Sequence, residues 1–271
     1  MVIRDEGYVK FQQDRVEAAP LQEVLWQGLE AARDVLYRAG LVGMYADGIG
    51  FGNVSWLEPG FLAGVESGVG DGLLLRTTGS GQASGQGLGQ ASGQGLGHRS
   101  GQGSGHRSGQ ASTAESTQGA DRAFVPFIIS GTQTGNRAQL DGRYYVRVLS
   151  VHAPANALRC EGPIDASSES MTHAAVYAAD PNIGCVLHVH HLEHWRRLLH
   201  QVPTTAAEVA YGTPAMAQEV SRLFLETELR KEGVFAMAGH EEGLVSFGAT
   251  PKEALERLRA WGVLPVYAKS A

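Results

Sequence analysis

Ile183-Gly184-Cys185-Val186-Leu187-His188-Val189-His190 is the stretch on which the fold turns, and it reads as a strand. Upstream of it, Ser167 or Ser168 can cap a helix running to Ala179, where Asp180-Pro181 stops it. Downstream, Thr213-Pro214 opens a helix to about Leu229, with Pro suited to the first helical position. Val234 to Ala238 and Leu244 to Phe247 follow as strands, and Thr250-Pro-Lys-Glu253 is a capping box that starts the last helix. Towards the N-terminus, Phe124 to Ser130 and Tyr144 to Val151 are apolar strands. A Gly-rich turn, Asp47-Gly48-Ile-Gly50-Phe-Gly52, leads into Asn53-Val54-Ser55-Trp56. From Pro20 to Gly40, Leu21, Val24, Leu25, Leu29, Ala32, Val35 and Leu36 share one helical face. Helices and strands mixed this closely indicate an α/β or α+β layered domain.

Between these elements lies a segment of another kind. From Ser84 an octapeptide recurs as SGQGLGQA, SGQGLGHR, SGQGSGHR and a decaying SGQASTAE. Residues 79–119 hold Leu88 and Leu96 as their only large apolar side chains, too few to offset ordering entropy, so disorder is expected there. A stacked solenoid would need a recurring apolar position, and that position fails by the third copy. The tract is expected to be an insertion in a loop of one domain formed by residues 1–78 and 120–271, since a longer loop adds little closure entropy.

Composition narrows the function. The chain has 271 residues, a formal charge of −6 and a pI near 5.9, which argues against a binder of nucleic-acid backbones. Two cysteines make no disulfide framework, and no CxxC pair offers a metal or redox motif. No run of about 18 apolar residues could span a membrane, and the first residues lack a signal-peptide pattern. The expectation is a cytoplasmic protein with no nucleic-acid or membrane partner.

Along a strand, side chains at i and i+2 share a face, so His188 and His190 project together, roughly 7 Å apart at Cα. That spacing lets two imidazoles converge on one zinc ion. By itself HxH is a weak signal in a chain with ten histidines. His240, after Met237-Ala-Gly at the end of another apolar strand, is a candidate third ligand, or an ordinary turn histidine. His191 should face the other side. Ser167 and Ser168 at a helix start offer hydroxyls and backbone N–H groups to an anion, although plain capping explains them as well. Gly52-Asn53 and Thr132-Gln133-Thr134-Gly135 are small-residue turns with the same capacity.

The order of these motifs resembles that of the class II aldolase/adducin family. They stand as Gly52-Asn53-Val54-Ser55, Thr132-Gln133-Thr134-Gly135, Ser167-Ser168-Glu169 with His173, His188-Val189-His190, Gly212-Thr213 and His240. The resemblance implies a three-layer α/β/α domain around a mostly antiparallel sheet, assembled as a homo-oligomer, usually a tetramer. It implies Zn2+ or another divalent transition metal on His188, His190 and His240, with Glu169 as the acid/base. Substrate phosphate would lie at Gly52, Asn53, Thr134, Gly135, Ser167 and Ser168. The implied activity is an aldolase-type lyase that cleaves a carbon–carbon bond in a small, phosphorylated hydroxy-ketone or ketose. Relatives that use the same zinc-enediolate chemistry are dehydratases or decarboxylases, and adducin-like chains are non-catalytic interaction modules without the metal histidines. The sequence departs from the family pattern at Gln133, in place of a proline, and at Trp56-Leu57, where an arginine is usual. Only 22 residues run from His190 to Gly212, and Glu241-Glu242 follow His240. The shortened stretch carries a catalytic tyrosine in the sugar-phosphate aldolases; Tyr211 is the nearest aromatic candidate for that role, with packing as the alternative.

Overall fold

A computed structural model describes residues 8–58 and 124–265, and the repeat tract of residues 79–119 lies outside the described residues. The first segment contains β1 (Gln12–Val16), α1 (Gln27–Arg38), β2 (Gly43–Met44), β3 (Gly50–Phe51) and β4 (Asn53–Leu57). The second opens with β5 (Phe127–Ser130), β6 (Tyr145–His152), β7 (Ala157–Glu161), α2 (Ser170–Ala179) and β8 (Cys185–His190). It continues through α3 (Leu192–Leu198), α4 (Pro214–Glu226), α5 (Leu229–Glu232), β9 (Val234–Ala236), β10 (Gly243–Gly248) and α6 (Pro251–Ala260).

Eight strands form one sheet in the order β1-β7-β6-β5-β4-β8-β10-β9. The β1–β7 pair is parallel. Every other pairing within this sheet is antiparallel. Alternation then sorts the side chains. Ile128, Cys185, Leu187 and Val189 join one core with Leu29, Ala32 and Leu36 of α1, Leu198 of α3 and Leu255 and Leu258 of α6. Phe127, Ile129 and Val186 join the other with Met171 and Val176 of α2 and Val220 and Leu223 of α4. The domain is therefore a three-layer α/β/α sandwich around a mostly antiparallel sheet.

α1 shows why these residues choose this structure. Leu29, Ala32 and Leu36 fall at i, i+3 and i+7, all buried, and each large one contributes about 1.5–3 kcal/mol by leaving water. The same helix buries a charge. Arg33, 1% exposed, donates to the carbonyls of Thr134 and Arg137 at 3.1 and 2.7 Å and lies 3.5 Å from Glu30. Glu30 accepts hydrogen bonds from Tyr145 Oη at 2.6 Å and from Leu140 N at 3.0 Å. This network ties the Thr132–Gly135 turn to α1.

Several boundaries differ from the sequence expectation. The helix after the two serines begins at Ser170, with Glu169 in the cap position and no side-chain cap. Ser167 instead closes a tight turn: its Oγ accepts from Glu169 N at 3.3 Å and its carbonyl from Ser170 N at 3.0 Å. The helix opened by Pro214 ends at Glu226 rather than near Leu229, because the Thr227 hydroxyl donates to Leu223 O and accepts from Leu229 N, starting a new turn. Thr250 caps α6 by accepting from Glu253 N. The carboxylate of Glu253 returns to Ala249 N, one residue before the cap. β1, β7 and α3 have no counterpart among the elements expected from the sequence.

Candidate metal centre

β8 runs between β4 and β10, so His188 is opposite Asn53 on one side and Val245 on the other, and His190 is opposite Gly243. The β9–β10 turn carries His240, whose N–H donates to Met237 O at 3.1 Å and whose carbonyl accepts from Gly243 N at 2.9 Å. The three imidazoles meet there. One nitrogen from each lies within 4.8 Å of the other two, all three rings are buried, and ring centroids are 4.7, 4.8 and 5.3 Å apart. A Cβ at Gly243 would stand 2.7 Å from His240 Cδ2 and 3.3 Å from His188 Nε2, so glycine keeps this space open.

Burial sets the charge state. It holds His188 well below the usual imidazole range, with neighbouring His240 adding to the effect. It pushes His240 down to about 3, with the Lys10 charge acting in the same direction. Neutral imidazoles with lone pairs are what a divalent cation requires, and three of them leave a position for substrate. His188 Nδ1 is 3.3 Å from Asn53 Nδ2, and neither Asn53 Oδ1 nor His188 Nε2 has a hydrogen-bond partner among the described residues. With the Asn53 amide turned over, Oδ1 accepts Nδ1–H and the Nε2 lone pair faces the centre. The residues fit a bound metal.

Glu169, 1% exposed, places Oε1 3.7 Å from His240 Nε2. Burial pushes its carboxyl up to about 7, against the opposing pull of the Thr172 hydroxyl and the Lys10 charge. One helical turn on, His173 Nδ1 and Tyr177 Oη both lie 2.6 Å from Ser55 Oγ, a buried polar chain behind the centre.

The small-residue turns are neighbours of one another. A Cβ on Gly50 would stand 3.1 Å from Gly135 N, and Gly131 bridges Ala166 just before the serines. Gly52 adopts φ +75°, and Gly212, at φ +65°, backs onto Ser168, whose carbonyl would lie 2.7 Å from its Cβ. Within these turns Asn53 reaches His188, and Thr134 Oγ1 donates to Gly131 O at 2.9 Å. Tyr211 is 1% exposed; its ring lies 4.5 Å from that of His240, and its hydroxyl accepts from Tyr8 N at 3.2 Å. Glu241 is exposed, and Glu242 reaches Tyr45. His191 caps α3, its Nδ1 accepting from His194 N.

Residues 146–261 match the family model described as the Class II Aldolase and Adducin N-terminal domain. This stretch of the chain is similar to the class II aldolase and adducin family. Structural likenesses include l-fuculose-1-phosphate aldolase from Thermus thermophilus, at 16% identity over 90% of this chain and 88% of that one, with a TM-score of 0.45. YgbL from Escherichia coli is similar at 14% identity over 92% and 93%, with a TM-score of 0.48. No curated protein matches the chain. Among the described residues His188, His190 and His240 form a group that could hold a metal ion. No helix among the described residues is long and apolar enough to cross a membrane.

Two residues close to the centre carried no sequence signal. Tyr45 lies 145 positions from His190, its hydrogen-bond partner, and belongs to no motif. Lys10 places Nζ 3.8 Å from the Tyr211 ring centroid, and its charge is felt at Glu169 and His240.

Proposed function

We propose that this chain is a zinc-dependent aldolase-type lyase acting on a small hydroxy-ketone or ketose that carries a phosphate. The observation that carries the reading is the set of three buried imidazoles with a buried carboxyl 3.7 Å from one of them. His188, His190 and His240 would hold the metal, which supplies Lewis-acid polarisation of the substrate carbonyl when bound. Glu169 stands in the same buried space. With its carboxyl near 7, it can take a proton from the carbon beside that carbonyl, or return one, at neutral pH. Tyr211 walls the centre against water beside His240. The neighbouring turns at Gly52-Asn53, Thr134-Gly135 and Ser167-Ser168 supply neutral N–H and O–H donors for the phosphate, in keeping with the acidic pI.

Glu169→Gln tests this reading. The change keeps shape and removes the base, so turnover of a substrate found by screening phosphorylated and free ketoses for aldehyde release should fall about 10²–10⁴-fold. Metal content should stay at about one ion per chain, because the imidazoles alone hold it. Near-wild-type turnover in the variant overturns the assignment of Glu169. Release of water or carbon dioxide instead of an aldehyde would move the chemistry to dehydration or decarboxylation at the same centre.

A further inference from the structure

His190 is gripped from behind by groups that no motif contains. Tyr45 Oη donates to Glu242 Oε2 at 2.6 Å and lies 3.0 Å from His190 Nδ1. A hydroxyl has one proton; here it goes to the carboxylate, so the Tyr45 oxygen meets His190 as an acceptor and Nδ1 must carry the hydrogen. The remaining ring nitrogen, Nε2, then bears the lone pair. We propose that Tyr45 and Glu242 are positioning residues that fix His190 in its Nδ1–H tautomer and so aim Nε2 at the metal centre, a relay of carboxylate, phenol and imidazole. The inference rests on the metal-centre reading given above.

Local structure is organised around that relay. Tyr45 stands at the turn of the β2–β3 hairpin, with Tyr45 N donating to Ile49 O and Gly48 N to Tyr45 O. Its ring packs 4.4 Å from Phe51, which in turn lies 5.6 Å from the His190 ring. On the other side Glu242 adopts φ +72°, a left-handed conformation that a non-glycine residue adopts only at a cost. Its carbonyl accepts from His191 N at 3.1 Å, which anchors it beside the end of β8. A turn that keeps glutamate where glycine would be at ease is explained if the side chain is needed at Tyr45. Outer partners of this kind orient metal-binding imidazoles and typically change metal affinity about 10–100-fold when removed.

The test uses Tyr45→Phe, which keeps the ring on Phe51 and deletes the hydroxyl, together with Glu242→Ala and Glu242→Gln. Nitrogen-15 NMR of the metal-free protein should show His190 as the Nδ1–H tautomer in wild type and Glu242→Gln, whose amide oxygen still accepts, but not in Tyr45→Phe. Zinc affinity, measured by competition with a chromophoric chelator, should drop about 10–100-fold in Tyr45→Phe and Glu242→Ala and only a few-fold in Glu242→Gln. Unchanged melting temperatures of the metal-free variants separate positioning from unfolding; if Tyr45→Phe does not fold, Glu242→Ala decides. An Nε2–H tautomer in wild type, or wild-type zinc affinity in both deletion variants, overturns the relay. A wild type that keeps the Nδ1–H tautomer and binds no zinc supports the relay and overturns the metal centre itself.

Discussion

On β8 the residues facing α1, α3 and α6 are Cys185, Leu187 and Val189, whereas those turned to α2 and α4 are Val186, His188 and His190. Both sets are buried, within one six-residue strand. The apolar set needs only volume and shape from its neighbours. The two histidines need donors and acceptors at fixed places, and the surrounding elements supply them: Asn53 from β4, Tyr45 from a hairpin and, bonded to Tyr45, Glu242 from a turn. Burial stabilises one face directly. On the other it creates a demand for partners, and that demand is where chemistry can be placed.

The sharpest break of this contrast is His188→Ala. It removes one of three metal ligands from the polar face and leaves the apolar face intact. Metal content of the purified protein, by elemental analysis, should fall from about one ion per chain to near none, with the metal-free melting temperature little changed. Equal metal content in the two proteins would dismiss the site.

Leu187→Ala is the counterpart one residue away. Leu187 is fully buried, and truncation leaves a cavity in the core shared with α1 and α6, costing about 2–5 kcal/mol in chemical denaturation. Zinc affinity should be retained below the unfolding transition. A loss of affinity as large as that of His188→Ala would mean that the two faces are not separable.

The faces should also respond differently to acid. His173, on the polar side, is held well below the usual imidazole range by burial, with His188 adding to it, while in the unfolded chain it titrates near 6.5. Below pH 6.5 the unfolded state therefore binds the extra proton, and stability falls as pH falls, by at most about 1.4 kcal/mol per pH unit for this one group. Above 6.5 both states are neutral and the dependence ends. His173→Asn removes the titration, so the slope of stability against pH between about 5 and 6.5 in the metal-free protein should be shallower by up to that amount. Identical slopes would show that His173 titrates alike in the folded and unfolded states.

The apolar face is the more legible of the two. Alternation along Ile183–His190 and the i, i+3, i+7 pattern of Leu29, Ala32 and Leu36 are periodicities, and they mark the elements within a few residues. Polar edge elements escape: Gln12–Val16 has no alternating apolar residues, and β7 offers only Leu158 and Cys160 around Arg159. At the site, His188 and His190 are visible because two ligands two residues apart form a local signal. His240 and Glu169 become visible through the order of motifs that the family shares. Tyr45 cannot be found that way, since its partners are 145 and 197 positions distant and one tyrosine in a turn has no pattern. Ser167 and Ser168 precede Glu169 without capping its helix; the turn they close and a cap use the same residue types, so the sequence does not separate the two.

The smallest expected effect lies where β8 ends. His190 and His191 are adjacent, yet the first turns to the centre and the second closes the start of α3, accepting from His194 N at 3.4 Å, a long hydrogen bond. A side-chain cap of good geometry contributes about 0.5–2 kcal/mol, and this one belongs at the lower end of that range. His191→Asn offers a better capping oxygen, so its stability should equal or slightly exceed wild type, while His191→Ala should lose about 0.5 kcal/mol. Neither should alter zinc content, because the side chain faces away from His188 and His240 by the alternation of the strand. Zinc loss in His191→Asn with the fold intact would place His191 among the ligands and end the division of labour between the two neighbours.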